Sequence, residues 1–192
     1  MEFDEAALFL DIATTIGEAE IIHLSILNGC SDTLCDEWFK PVKGRVVNYY
    51  ELNDIITSPY VTFMASNIKD ELSKIQEILD RGRYLVMFDS IRKMALLKKA
   101  GFSFETMENN SGMLLDPQKD EAVINARKEG LLFPQETNLK TASSRYPGCS
   151  YDASNSMNGS FCLLRLSKII YNDLELSKCV RNLNSGELIF KH

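Results

Sequence analysis

The octet Leu8-Phe9-Leu10-Asp11-Ile12-Ala13-Thr14-Thr15 constrains this chain more than any other stretch of it. A short apolar run ends on one acidic side chain, and a threonine pair follows. A buried strand presents a carboxylate to a divalent metal in this way. A second strand-like segment, Ile21 to Leu27, begins ten residues after Asp11, so the two read as a hairpin.

The pattern predicts strands over 6–12 and 20–28, with Gly17-Glu18-Ala19 at the turn, and a third strand over Glu37-Trp38-Phe39-Lys40, ended by Pro41 and Gly44. Residues 46–61 are irregular, with Asn48, Asn53, Asp54 and Ser58-Pro59 as turn formers. A helix is expected over 66–80, capped by Ser66, with Ile68, Leu72, Ile75 and Leu79 on one face. Tyr84 to Phe88 reads as a buried parallel strand, and Ile91 to Ala100 as a helix stopped by Gly101. Such a strand, polar pair and helix put Asp89-Ser90 at the carboxyl end of a sheet strand, where α/β sites usually lie.

Residues 103–120 carry no clear periodicity, and Asp116-Pro117-Gln118 reads as a turn before a helix over 121–129. In that helix Asp120 and Glu121 suit the positive end of the dipole. Residues 134–159 are rich in Ser, Asn, Gly and Pro and read as a long loop, followed by an apolar helix over 160–171 and a short closing segment, 182–190. Three strands followed by alternating helices and strands predict an α/β domain spanning 1–192, an antiparallel meander feeding a mixed sheet flanked by helices.

At 192 residues the chain is long enough to bury a core without staples. A net charge of −6 disfavours broad electrostatic binding of nucleic acid but leaves room for a local basic groove. The five cysteines form no Cys-x-x-Cys pair, which argues against a zinc site or a disulfide framework and for reduced thiols. The acidic start, Met1-Glu2-Phe3-Asp4-Glu5, lacks the basic region of a signal peptide, and no apolar run approaches the ~20 residues that span a bilayer. A cytoplasmic protein with no membrane partner is the expectation.

The octet resembles the first motif of the DEDD-type 3′–5′ exonucleases, the DnaQ-like family with an RNase H-like fold, which usually reads Asp-x-Glu-Thr-Thr; Ala13 stands at the Glu position. Glu20-Ile21-Ile22-His23-Leu24-Ser25-Ile26 resembles the family's second strand, and Trp38-Phe39-Lys40-Pro41 its strand ending in Lys-Pro. Leu52-Asn53-Asp54-Ile55-Ile56-Thr57 occupies the place of the His-Gly-Ile-Thr turn, with His and Gly replaced. For the second catalytic motif two alignments compete. Without a gap, Phe88-Asp89 replaces Tyr-Asn, and Arg92-Lys93 replaces the Phe-Asp pair, so a lysine takes a ligand's place. With a short deletion, Phe88-Asp89 is itself the Phe-Asp pair and a carboxylate survives. The ungapped form is preferred because it keeps the strand length and aligns Leu96 and Leu97 with the family's apolar helix positions. For the third motif, His-x-Ala-x-x-Asp opening a final helix, Val180-Arg181-Asn182-Leu183-Asn184-Ser185 is the candidate, without His or Asp. Asp152 and Asp173 are acids that a different alignment would recruit.

The resemblance implies two-metal phosphodiester hydrolysis, in which clustered carboxylates hold two divalent ions about 3.5–4 Å apart. This chain offers Asp11 and Asp89 as catalytic and metal-binding acids, for Mg²⁺ or Mn²⁺ if it is active, with Thr14, Thr15, Arg92 and Lys93 as nucleic-acid contacts. Lys93 at the site would place an ammonium where a metal should sit, and an ammonium partly mimics that charge. Three other readings of Ala13 stay open: a Glu-to-Ala replacement made to trap substrate, a site rebuilt from acids elsewhere, and an accidental likeness.

Plainer roles stand beside these. His23 alternates with apolar neighbours, as a solvent-facing or hydrogen-bonded strand residue would. Arg92, Lys93, Lys98 and Lys99 read as a solvated helix face, and Lys40, Lys43 and Arg45 as a similar loop cluster. Trp38 and Tyr49-Tyr50 would stack on bases or fill the rim of a core. The expected function is a divergent 3′–5′ exonuclease-family protein, short of most of its catalytic set, that binds a single-stranded nucleic-acid end or a protein partner. The alternatives are an active metal-dependent exonuclease with a rearranged acidic site and a protein-interaction scaffold.

Overall fold

The computed structural model describes residues 2–15, 20–41, 64–149, 151, 156–174 and 176–189. The expected turn at 17–19, the irregular stretch 46–61 with its His-Gly-Ile-Thr counterpart, Lys43, Arg45, Tyr49-Tyr50, Asp152 and His192 lie outside them.

Five strands form one mixed sheet. They are β1 (Ala7–Thr14), β2 (Ile21–Asn28), β3 (Thr33–Trp38), β4 (Tyr84–Val86) and β5 (Met113–Leu115), in the order β3-β2-β1-β4-β5. The meander β1-β2-β3 is antiparallel, and β4 and β5 run parallel to β1. Helices flank this sheet: α1 (Ile68–Asp80), α2 (Ser90–Ala100), α3 (Glu105–Asn109), α4 (Pro117–Glu129), α5 (Leu139–Ser144) and α6 (Ser156–Asp173). The mixed sheet and its flanking helices are those expected from the sequence.

β1 is buried along its whole length, and its period of two divides the core. Leu8, Leu10 and Ile12 pack with α1 and α2 residues such as Ile75, Leu79 and Leu97. Ala7 and Phe9 face Leu163, Leu166 and Ile170 of α6. Asp11 and Ala13 continue this second row.

Several boundaries differ from the sequence reading, each for a local reason. The third strand runs from Thr33 to Trp38, and Phe39 instead bridges to Ser66. Asn67, not Ser66, caps α1, and its N–H donates to the Asp70 carboxylate at 3.3 Å. β5 has three residues, too few for any periodicity to show. Asp116 is the cap of α4 rather than part of a turn: its Oδ1 accepts the Gln118 N–H at 3.1 Å, and Pro117 opens the helix. The supposed loop 134–159 contains α5 and the first turn of α6, whose Ser, Asn and Gly residues hide its start.

The closing segment secures the β5 edge. Arg181 pairs in antiparallel fashion with Leu114, and its guanidinium reaches Asp120 Oδ1 at 2.6 Å. The Tyr171 hydroxyl donates to Asp120 Oδ2 at 2.7 Å, so β5, α4, α6 and the C-terminal segment share one buried network. Segment 180–185 therefore opens no helix, and its candidacy for the third motif is withdrawn. No described helix is long and apolar enough to cross a membrane.

Candidate nucleic-acid site at the end of β1

The carboxyl ends of β1 and β4 and the N-terminal turns of four helices surround a cavity of about 270 Å³. Asp11, Ala13 and Thr14 line it from β1, Phe88 and Asp89 from the turn after β4, Arg92 and Lys93 from α2, and Ser156 from α6. Asn138, Leu139, Lys140, Gln118 and Tyr151 complete the wall.

Asp11 and Lys93 form a buried ion pair at its floor, 8% and 5% exposed. The pair exists because Lys93 lies one turn into a helix anchored at its start. The Ser90 hydroxyl donates to Asp116 Oδ2 at 2.5 Å, and the Ser90 N–H to the same oxygen at 3.3 Å. Asp116 thus binds the first turns of both α2 and α4; burial pushes its carboxyl up, and the Ser90 hydroxyl opposes the shift. Lys93 is accordingly not part of a solvated basic face, as its neighbours in sequence suggested. Lys98 donates to Asn184 Oδ1 at 3.1 Å on the far part of the helix.

Asp89 lines the same cavity but meets a different partner, Arg92, whose Nε donates to its Oδ2 at 2.5 Å. It takes a left-handed conformation, φ 59°, which aspartate tolerates better than most residues and which turns the chain from β4 into α2. Thr14 lines the cavity, whereas Thr15 closes the hairpin, its hydroxyl accepting the Glu20 N–H at 3.2 Å.

The first turn of α6 is fastened to the sheet face that carries Asp11. Register sets Ser25 opposite Asp11 and His23 opposite Ala13. Ser160 Oγ lies 2.6 Å from Ser25 Oγ, and Ser156 Oγ 2.6 Å from His23 Nδ1. Between them Gly159 rests on Asp11, where a Cβ would overlap the carboxylate oxygen Oδ2. His23 is buried rather than solvent-facing, with Asp36 Oδ1 2.8 Å from Nε2 and the Trp38 ring stacked at 3.9 Å. Trp38 is thereby committed to His23. Burial lowers the His23 pKa from 6.5 against the opposing pull of Asp36, which keeps the ring neutral at pH 7.

These residues do not fit a two-metal centre. Ala13 has no donor, Asp11 is already paired with an ammonium, and Asp89 with a guanidinium. Among the described residues no three His, Cys, Asp or Glu side chains converge to hold a metal ion. The assignment of Asp11 and Asp89 as joint metal ligands thus gains no third acidic, histidine or cysteine ligand among the described residues. Instead the cavity sets Arg92, Lys93 and Lys140 against two carboxylates, leaving a local positive balance in an acidic chain. The sequence reading missed Ser156 and Gly159, whose only signal was a pair of small residues three apart inside an apparent loop.

No family model matches the chain, and no curated protein does. Solved structures do. One is the crystal structure of a full-length 3′-exonuclease, at 14% identity and a TM-score of 0.64, covering 99% of this chain and 92% of that one. Another, of the 3′-end specific recognition of a histone mRNA stem-loop by a 3′-exonuclease, is 15% identical with a TM-score of 0.55, covering 98% and 91%. At these identities the likeness establishes the fold, the RNase H-like architecture of such exonucleases.

Proposed function

We propose that this chain holds the 3′ end of a single-stranded nucleic acid in the β1–α2 cavity without cutting it, as a catalytically impaired relative of the exonucleases. The Lys93–Asp11 pair carries this reading: a fixed ammonium stands at the acid that ends the apolar run of β1 and supplies charge that the hydrolases draw from ions. Arg92 and Lys140 at the wall provide further contacts for phosphate oxygens, and the apolar sides of Phe88 and Leu139 suit a base or sugar. An overall charge of −6 limits such binding to the end of a strand rather than a long track.

Fluorescence anisotropy with a 5′-labelled single-stranded RNA or DNA carrying a 3′-hydroxyl tests the reading. Affinity should be equal in EDTA and in Mn²⁺, and the strand should remain full length. With two or three phosphate contacts, the log–log salt slope should be about −1.5 to −2. Cleavage in Mn²⁺ that Asp11→Asn abolishes would establish the rival reading, an active exonuclease with a rearranged site. A protein-binding role is the second reading, favoured by Leu132 and Phe133, 91% and 77% exposed beyond α4. Absence of any oligonucleotide binding would select it.

A further inference from the structure

We infer that His23 is the positioning residue of this cavity: its bare Nδ1 holds the first turn of α6 in place, and a proton gained there lets the turn go. The consequence for ligand binding rests on the function proposed above; the latch itself does not.

The tautomer follows from the donors. The Ser156 backbone N–H donates to Nδ1 at 3.2 Å, and a backbone N–H has no other role, so Nδ1 is the unprotonated nitrogen. The ring proton is then on Nε2, beside Asp36 Oδ1. Through Ser156 this single lone pair fixes the start of α6, whose next residues buttress Asp11 at Gly159 and Ser25 at Ser160. Protonation would set the Ser156 N–H against Nδ1–H, leave only the Ser156 hydroxyl, 2.6 Å away, able to turn and accept, and place an imidazolium at the positive end of an 18-residue helix. The charged groups around the ring are Asp36 and Glu37 from β3 and Asp11 from β1, and all three favour the proton; Lys93 offsets Asp11. Burial outweighs them. The order Ser156, His23, Asp36 resembles a hydrolase relay, but the Ser156 N–H shares the lone pair that a general base would need.

Trp38 makes the latch observable. It is the only tryptophan in the chain, and its ring stacks on His23 at 14°. The full-length protein would be titrated from pH 8 to pH 5 while recording tryptophan emission, far-UV circular dichroism, amide exchange at residues 156–160 and anisotropy of the labelled oligonucleotide. Emission should fall with a midpoint below 6.5. Exchange protection at 156–160 should drop about tenfold per pH unit below that midpoint while helix content persists. Oligonucleotide affinity should fall over the same range. His23→Asn keeps an acceptor near Nδ1 without a titrating ring and should show neither the emission step nor the loss of protection. Unchanged protection across the emission step, or a midpoint at or above 6.5, overturns the inference. Failure to bind an oligonucleotide at any pH overturns the proposed function, while emission and exchange still decide the latch.

Discussion

Gly159 and Asp11 are in a contact that only a missing side chain permits, with the Asp11 carboxylate lying where a Cβ on Gly159 would project. Asp11 cannot retreat cheaply, because its other oxygen is held by Lys93 in a buried pair. Backbone and ammonium together fix where the charge of this carboxylate sits.

Gly159→Ala should therefore be destabilising although the position is helical. Alanine gains up to about 1 kcal/mol of helix propensity over glycine. Overpacking costs about 1–3 kcal/mol. The net loss should be about 1–2 kcal/mol, read as a lower urea midpoint with an unchanged m-value. A neutral or stabilising substitution would mean that the helix stands off from Asp11.

Lys93→Met leaves Asp11 buried without a counter-charge, which typically costs about 3–5 kcal/mol. Adding Asp11→Asn removes the orphaned charge and should recover most of the loss. Urea denaturation of the two single variants and the double variant gives the coupling directly. Additive losses would show that the two groups do not interact.

Acid should weaken the fold through His23. Its folded pKa is below the unfolded value of 6.5, so the unfolded chain takes up the proton first as pH falls. The contribution is complete above 6.5 and disappears as pH drops to the folded value, at about 1.4 kcal/mol per unit of separation. Urea midpoints at pH 7.5 and 5.5 should differ in the wild type and agree closely in His23→Asn.

Arg181→Met should detach the closing segment from β5. Among the described residues it leaves the side chain of Asp120, 5% exposed, with the Tyr171 hydroxyl alone, and it removes the ion pair beside the Leu114 bridge. A loss of about 3–5 kcal/mol is expected. Exchange at Leu114 and at position 181 should become faster than at β1.

Much of this architecture was legible in the residues. The apolar run ending at Asp11, the helix expected over Ile91–Ala100 and stopped by Gly101, and the parallel strand at Tyr84 carry strong local patterns. Aligning the helix without a gap put Lys93 in a ligand's place, although the same residue also read as part of a solvated basic face. What stayed hidden depends on long-range packing. Ser156, Gly159 and Ser160 look like a loop because small polar residues begin helices as readily as they form turns. His23 acquires its role only when β2 lays it beside Ala13 and α6 arrives from more than 130 residues away.

The central claim is that Lys93 has taken the ion's place. Titration of the full-length chain with Mn²⁺, followed by electron paramagnetic resonance, examines it most directly. The wild type should leave Mn²⁺ free, whereas Ala13→Glu with Lys93→Asp, which sets three acids at the end of β1, should bind it. A stoichiometric Mn²⁺ site in the wild type that disappears in Asp11→Asn would contradict the account.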